Sequence, residues 1–182
     1  MIQFREEACA KSAEEFIKYC STKMTQAECE KIARETQAQS ESPVRFDMRF
    51  ARISASKIYD VSRCKIPDGS LVIGILGIVK VKATDDMRRG LTLEKEVLKA
   101  VEIKLSEKFQ RTGFMMSPNH PLFGASPDAI CNEFIVEVKC PVKDRTYNTY
   151  FTPYMEPSNK YKGHMNIFMI SLILKLPQNG HH

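Results

Sequence analysis

The sequence predicts one mixed domain, α/β or α+β, in which helices lead, a small sheet follows, and a further helix packs on that sheet. Three observations predict it. Helix-start signals and a four-residue apolar repeat fill the part before Phe109. After Phe109 the period shortens to β-branched or aromatic segments separated by turn residues. The 182 residues also suffice for one core, since a domain of this size buries roughly 70% of its unfolded surface.

Two helices open the chain. Ser12-Ala-Glu-Glu15 and Thr25-Gln-Ala-Glu28 both have capping-box spacing. The second box starts a helix to about Gln39; the first falls inside a longer helical pattern and is the weaker signal. Ser40-Glu-Ser-Pro43 reads as a linker. Ser54-Ala-Ser56 can cap a short helix through Val61, and Asp68-Gly-Ser70 another through about Leu76. The strongest helix runs from about Thr92 to Phe109, where Leu93, Val97, Val101, Leu105 and Phe109 form one apolar stripe. Gly113–Ser117, Asp128–Cys131 and Phe134–Cys140 read as strands. A loop with Pro141, Pro153 and Pro157 follows, then a helix from about Asn159 to Lys175.

Composition excludes several classes. Hydrophobic residues are 43% and charged residues 27%, which fits neither a disordered tail nor a membrane bundle. Leu71–Val79 and Met165–Leu174 are the longest apolar runs, well short of the ~20 residues that span a bilayer, so no membrane role is expected. Glu6 and Glu7 stand where a signal peptide needs an apolar core, so an intracellular protein is expected. The six cysteines show no CxxC, which argues for free thiols rather than a zinc site. The net charge of +5 is uneven: residues 1–40 carry 6 Lys/Arg against 7 Asp/Glu, and the rest is basic. That suits a polyanionic partner and equally a solvated basic surface.

The informative stretch is Gly124–Pro141, GASPDAICNEFIVEVKCP. Side chains alternate along a strand, so Ile135, Glu137 and Lys139 share one face of Phe134–Cys140. Asp128 begins the preceding strand, and a hairpin would bring it close to Glu137. Two converging carboxylates repel unless a cation sits between them, and hard oxygen ligands suit Mg²⁺ or Mn²⁺. A lysine beside that cation can hold a scissile phosphate and orient the attacking water. The same D-x₈-E-x-K spacing also describes a solvated cross-strand pair, and the three residues alone do not decide between the two.

The longer string resembles the core motif of the PD-(D/E)XK nuclease superfamily, in particular its lambda-exonuclease-like branch with the YqaJ viral recombinase family. Ser126-Pro127-Asp128 and Glu137-Val138-Lys139-Cys140-Pro141 match its "SPDG…E-x-K-C-P" string. Arg49-Phe-Ala-Arg-Ile-Ser-Ala-Ser56 resembles its upstream "R…I-T-A-S" element, Gly90-Leu-Thr-Leu-Glu94 its "G…E" element, and Tyr161-Lys-Gly-His-Met-Asn166 its "Y…Q-x-Q" element. The resemblance covers roughly residues 38–175.

The resemblance implies a restriction-endonuclease-like core at residues 41–178, behind a helical extension at 1–40; Asn179–His182 reads as a tag remnant. It implies a Mg²⁺-dependent deoxyribonuclease, with Mn²⁺ as substitute, acting as a 5′-to-3′ exonuclease on duplex DNA with free ends. The alternatives are a structure-specific endonuclease and a catalytically silent DNA-binding module. Asp128, Glu137 and the Val138 carbonyl are the implied metal ligands, Lys139 the catalytic lysine, and Glu94 an acid joining the metal shell. Arg49, Ser56, Ser126 and His164 are implied to hold DNA, the first three through a terminal 5′ phosphate. A single-strand-annealing partner protein and a homo-oligomer belong to the same implied setting.

Three departures stand out: Ala129 where the family has Gly, His164 and Asn166 where it has Gln, and Ser117-Pro-Asn-His-Pro121 where lambda-type members can add an Asp. Relatives also usually add a strand after the last helix. A thiol site from Cys140 and His164 is disfavoured against a small buried cysteine, and Met115, Met116, Met165 and Met169 read as core filler.

Overall fold

Ser12 starts the first helix, α1 (Ala13–Lys23), with a complete capping box. Its Oγ accepts from the Glu15 amide at 3.2 Å, and Glu15 accepts the Ser12 amide at 2.9 Å. The structure, a computed structural model, describes residues 12–66, 69–77, 83–133 and 135–165. The box expected to be weaker is therefore the fuller one, since Thr25 caps α2 (Gln26–Glu35) from its own side chain alone. α2 stops four residues before Gln39. Thr36 takes the chain out of the helix: its hydroxyl donates to the Ile32 carbonyl and accepts the Phe114 amide, both at 2.6 Å.

The expected linker at Ser40–Pro43 is instead a 3₁₀ turn, Gln39–Glu41, leading into α3 (Pro43–Arg49). Pro43 occupies the first helical position, where a missing N–H costs nothing, and the Ser42 Oγ caps the Arg45 amide at 3.4 Å. A short strand, β1 (Ile53–Ser54), and a 3₁₀ turn, Ala55–Lys57, then precede α4 (Ile58–Arg63). The Ser54 and Ser56 hydroxyls bond each other at 3.1 Å and cap no helix. α5 (Ser70–Leu76) is entered through Gly69 at φ 78°, a left-handed conformation that glycine adopts freely. Asp68, expected at that start, lies outside the described residues.

The long helix, α6 (Asp85–Leu105), begins seven residues before Thr92. Thr84 caps the Met87 amide at 3.2 Å, and Asp85 and Asp86 face the positive end of the helix dipole. It ends before Phe109, where Ser106 turns left-handed at φ 55° and the Phe109 amide donates to Glu102 at 2.8 Å. Its stripe is shallower than expected: Leu93 and Val101 are half-buried, whereas Val97 and Leu105 are exposed.

The three expected strands are present but short: β2 (Met115–Met116), β4 (Ala129–Ile130) and β5 (Ile135–Val136). β1 and β3 (Phe123–Ala125) were not expected, because no local alternation marks them and each depends on a partner distant in sequence. One sheet has the order β1-β3-β2, with β1 parallel to β3 and β2 antiparallel to it. β4 and β5 form a separate antiparallel hairpin that pairs Ala129 with Val136 and Ile130 with Ile135. A helix inside the proline loop, α7 (Asp144–Tyr150), was also missed, since the prolines flank it rather than interrupt it. Residues 159–165 are helical as expected; the rest of that expected helix, to Lys175, lies outside the described residues.

β3 divides two apolar clusters. Ala125 joins Ala55, with Ile58, Phe123, Ile135 and Met165 packed against them. Phe114, fully buried, joins Cys29 and Met116, with Met24, Ile32 and Met48 around them. Gly124 presses against the Phe114 ring so closely that an added Cβ would overlap it, which leaves room only for glycine. The architecture is the mixed α/β arrangement expected. Among the described residues no helix is long and apolar enough to cross a membrane.

Candidate active site

The β4–β5 hairpin does what the spacing of its residues foretells. Asp128 precedes β4 and Glu137 follows β5, so pairing Ala129 with Val136 sets the two acids side by side. Asp128 Oδ2 accepts the Val138 amide at 2.6 Å, which fixes that carboxylate across the hairpin. Lys139 Nζ contacts Glu137 Oε1, and His164 Nε2 approaches the same oxygen at 3.7 Å. Glu137 and Lys139 thus share one side, as strand alternation predicts, although the pairing ends at Val136. The Glu137 side chain is only 6% exposed, and its buried Oε2 has no hydrogen-bond partner among the described residues. The Lys139 ammonium lies 5.7 Å from the centre of the Tyr161 ring.

These groups open on one cavity of about 760 Å³. Asp128, Glu137, Lys139 and Glu94 line it, and so do Arg49, Ser56, Ser126 and His164. All eight side chains singled out in the sequence are brought together. Glu94 projects from α6 with 16% of its side chain exposed, and Arg111 Nη2 lies 3.8 Å from its Oε1. Arg45 also lines the cavity and donates from Nε to Ser126 Oγ at 3.3 Å. Sequence reasoning missed Arg45 and Arg111. Arg45 would have been visible one turn before Arg49 had α3 been recognised; the irregular segment holding Arg111 carries no signal.

Burial governs the charges here. It pushes the Glu137 carboxyl up to about 7, with Lys139 opposing and Asp128 adding to the shift. Burial also raises Asp128, against the Val138 amide, and raises Glu94, with the Asp128 charge adding. His164 is pushed down to about 4 by burial, and by Lys139 and Arg49, so it is a neutral imidazole at pH 7. Three carboxylates raised by burial, Glu94 and Glu137 further by the Asp128 charge, and one with a buried oxygen that lacks a partner among the described residues, suit a hard divalent cation. They surround the cavity without closing on a point: among the described residues no three His, Cys, Asp or Glu form a ready metal cluster.

Ala129 fits where the family pattern has glycine. Its backbone is regular β4 strand and its methyl is buried, so the position needs no left-handed conformation. Asn166 lies outside the described residues. Cys20, Cys29, Cys64 and Cys140 are free thiols, as expected.

Residues 46–167 match the YqaJ-like viral recombinase domain. The chain belongs to that family. This YqaJ-like chain therefore sits in the lambda-exonuclease-like branch of the PD-(D/E)XK nucleases. Its fold is similar to that of the alkaline exonuclease LHK-Exo from Laribacter hongkongensis. One LHK-Exo structure, in complex with dAMP, is 24% identical with a TM-score of 0.58, over 70% of this chain and 67% of that one. A second is 25% identical with a TM-score of 0.56, over 70% and 66%. The YqaJ-like chain thus spans about two thirds of the length of that exonuclease. No curated protein matches the sequence.

Proposed function

We propose that this YqaJ-like chain is a metal-dependent deoxyribonuclease that digests duplex DNA from a 5′ end during recombination or DNA processing. One observation carries the reading: the Glu137–Lys139 pair and Asp128 open on the same cavity as Arg49, Ser56 and Ser126. The site thus joins a place to cut a phosphodiester with a place to hold a phosphate. Likeness to an alkaline exonuclease at 25% identity supports the same reading.

Asp128, Glu137, the Val138 carbonyl and Glu94 would hold Mg²⁺, or Mn²⁺ in its place. When bound, the cation polarises the scissile phosphate and lowers the pKa of a bound water. Lys139, held at Glu137 and over the Tyr161 ring, orients the attacking water and faces the charge that develops on the phosphoryl oxygens. Arg49 holds the terminal phosphate through charge-assisted bonds, with Ser56 and Ser126 as hydroxyl donors. Neutral His164 donates a ring N–H to the DNA backbone. In this reading residues 41–178 are the nuclease core and residues 1–40 an extension whose α2 packs beside β2.

Incubation with linear and with closed circular duplex, each in Mg²⁺ and in EDTA, tests the proposal. Mg²⁺-dependent loss of the linear form alone is the expected result. A nicked or linearised circle would mean endonuclease action, and two intact substrates a silent DNA-binding module.

A further inference from the structure

α3 carries Arg45 and Arg49 one helical turn apart, and both line the cavity. Arg88, Arg111, Lys139 and Lys162 each lie beside a carboxylate. Among the described residues, Arg45 and Arg49 form no such ion pair. Arg45 is half-buried, and the neighbouring Arg49 charge adds to the cost of its burial. Two like charges drawn partly out of water, with no carboxylate between them, need an anion to complete the site.

The hydroxyls that line the cavity beside the two arginines say which anion. Arg45 Nε donates to Ser126 Oγ at 3.3 Å. That oxygen is used as an acceptor, so the Ser126 proton is left to donate elsewhere. Ser54 and Ser56, joined Oγ to Oγ at 3.1 Å, also line the cavity. Two guanidinium forks and a set of hydroxyls match the several oxygens of a phosphate better than the two of a carboxylate. A phosphate monoester carries about −1.5 to −2 charges at neutral pH, whereas an internal diester carries one.

We propose that Arg45 is a specificity-determining residue: a second guanidinium that makes the phosphate subsite prefer a doubly charged terminal phosphate and turns the Ser126 hydroxyl toward it. Arg45 lies outside the motifs that define the family resemblance, which begin at Arg49. The proposal rests on the exonuclease reading and deepens it.

The test measures digestion of linear duplex with 5′-phosphate or 5′-hydroxyl ends by wild type, Arg45→Gln, Arg45→Lys and Arg49→Ala. Losing a bond to a charged group costs about 10-fold or more. The phosphate-over-hydroxyl rate ratio should therefore fall by about that factor in Arg45→Gln. Arg45→Lys, which keeps the charge and loses the fork, should give an intermediate ratio. Inorganic phosphate provides a readout without turnover, because it should raise the melting temperature of wild type more than that of either Arg45 variant. Wild-type ratios in both Arg45 variants, beside a lowered ratio in Arg49→Ala, would overturn the proposal and leave the exonuclease reading standing. If wild type digests neither duplex, the exonuclease reading fails on its own. The phosphate melts then decide: a wild-type shift that both Arg45 variants lose supports a phosphate subsite with Arg45 in it, and equal shifts refute it.

Discussion

Replacing Glu137 by Gln should stabilise the metal-free protein at alkaline pH while it destroys metal-dependent activity. Burial raises the Glu137 carboxyl from 4.5 to about 7. Between those values the folded chain keeps a proton that the unfolded chain releases, so metal-free stability falls as pH rises through this window. Each unit is worth about 1.4 kcal/mol, so above pH 7 the ionised carboxylate opposes folding by roughly 3 kcal/mol. Gln resembles the protonated acid and escapes this cost. A chain of this length moves roughly 2–4 °C per kcal/mol, which predicts a melting point higher by about 6–12 °C at pH 8 in EDTA. The gap should shrink as pH approaches 4.5, where both states of the wild type hold the proton. Mg²⁺ at 100 times its dissociation constant adds about 2.7 kcal/mol to wild type, and the variant should gain much less. Thermal melts at several pH values, in EDTA and in Mg²⁺, give all four quantities. A variant no more stable than wild type at pH 8 in EDTA would show that this carboxylate is not held against its preference, and the cation site would lose its driving force.

Glu94→Gln should raise the Mg²⁺ concentration for half-maximal digestion, because the half-buried Glu94 charge faces the same cavity as Asp128; an unchanged titration would return Glu94 to a structural role. Arg49→Ala should slow digestion of 5′-phosphorylated duplex by about 10- to 150-fold, with a smaller loss on 5′-hydroxyl ends. Equal losses would make Arg49 a general backbone contact. Gly124→Ala should lower stability by roughly 1–3 kcal/mol in urea unfolding, since the new methyl overlaps the Phe114 ring and that fully buried ring has nowhere to go.

The convergence of the hairpin residues on one cavity was legible because it is local. Asp128, Glu137 and Lys139 lie on one hairpin, so strand alternation and one tight turn are enough to bring them together. The start of α2 was legible for the same reason, since a cap acts over three residues, as Thr25 does with Glu28. What escaped depends on distant partners. Pro43 looks like a breaker until its place at the first position of α3 is known, and with α3 hidden, Arg45 was hidden too. β1 and β3 show no local alternation and exist because they pair with each other across 69 intervening residues. The α2 boundary was misplaced because Thr36 ends that helix to meet Phe114, a contact no local pattern announces.

The most direct test of the central claim is the rate at which acid-soluble nucleotide is released from linear 5′-phosphorylated duplex in Mg²⁺, by wild type, Asp128→Asn and Lys139→Ala. Single electrostatic stabilisers are worth about 10²–10³-fold, so each variant should lose at least that much while melting as a folded protein. EDTA should abolish the wild-type rate. Digestion at the wild-type rate by either folded variant would contradict the account, since it would place the chemistry somewhere other than the hairpin of Asp128, Glu137 and Lys139.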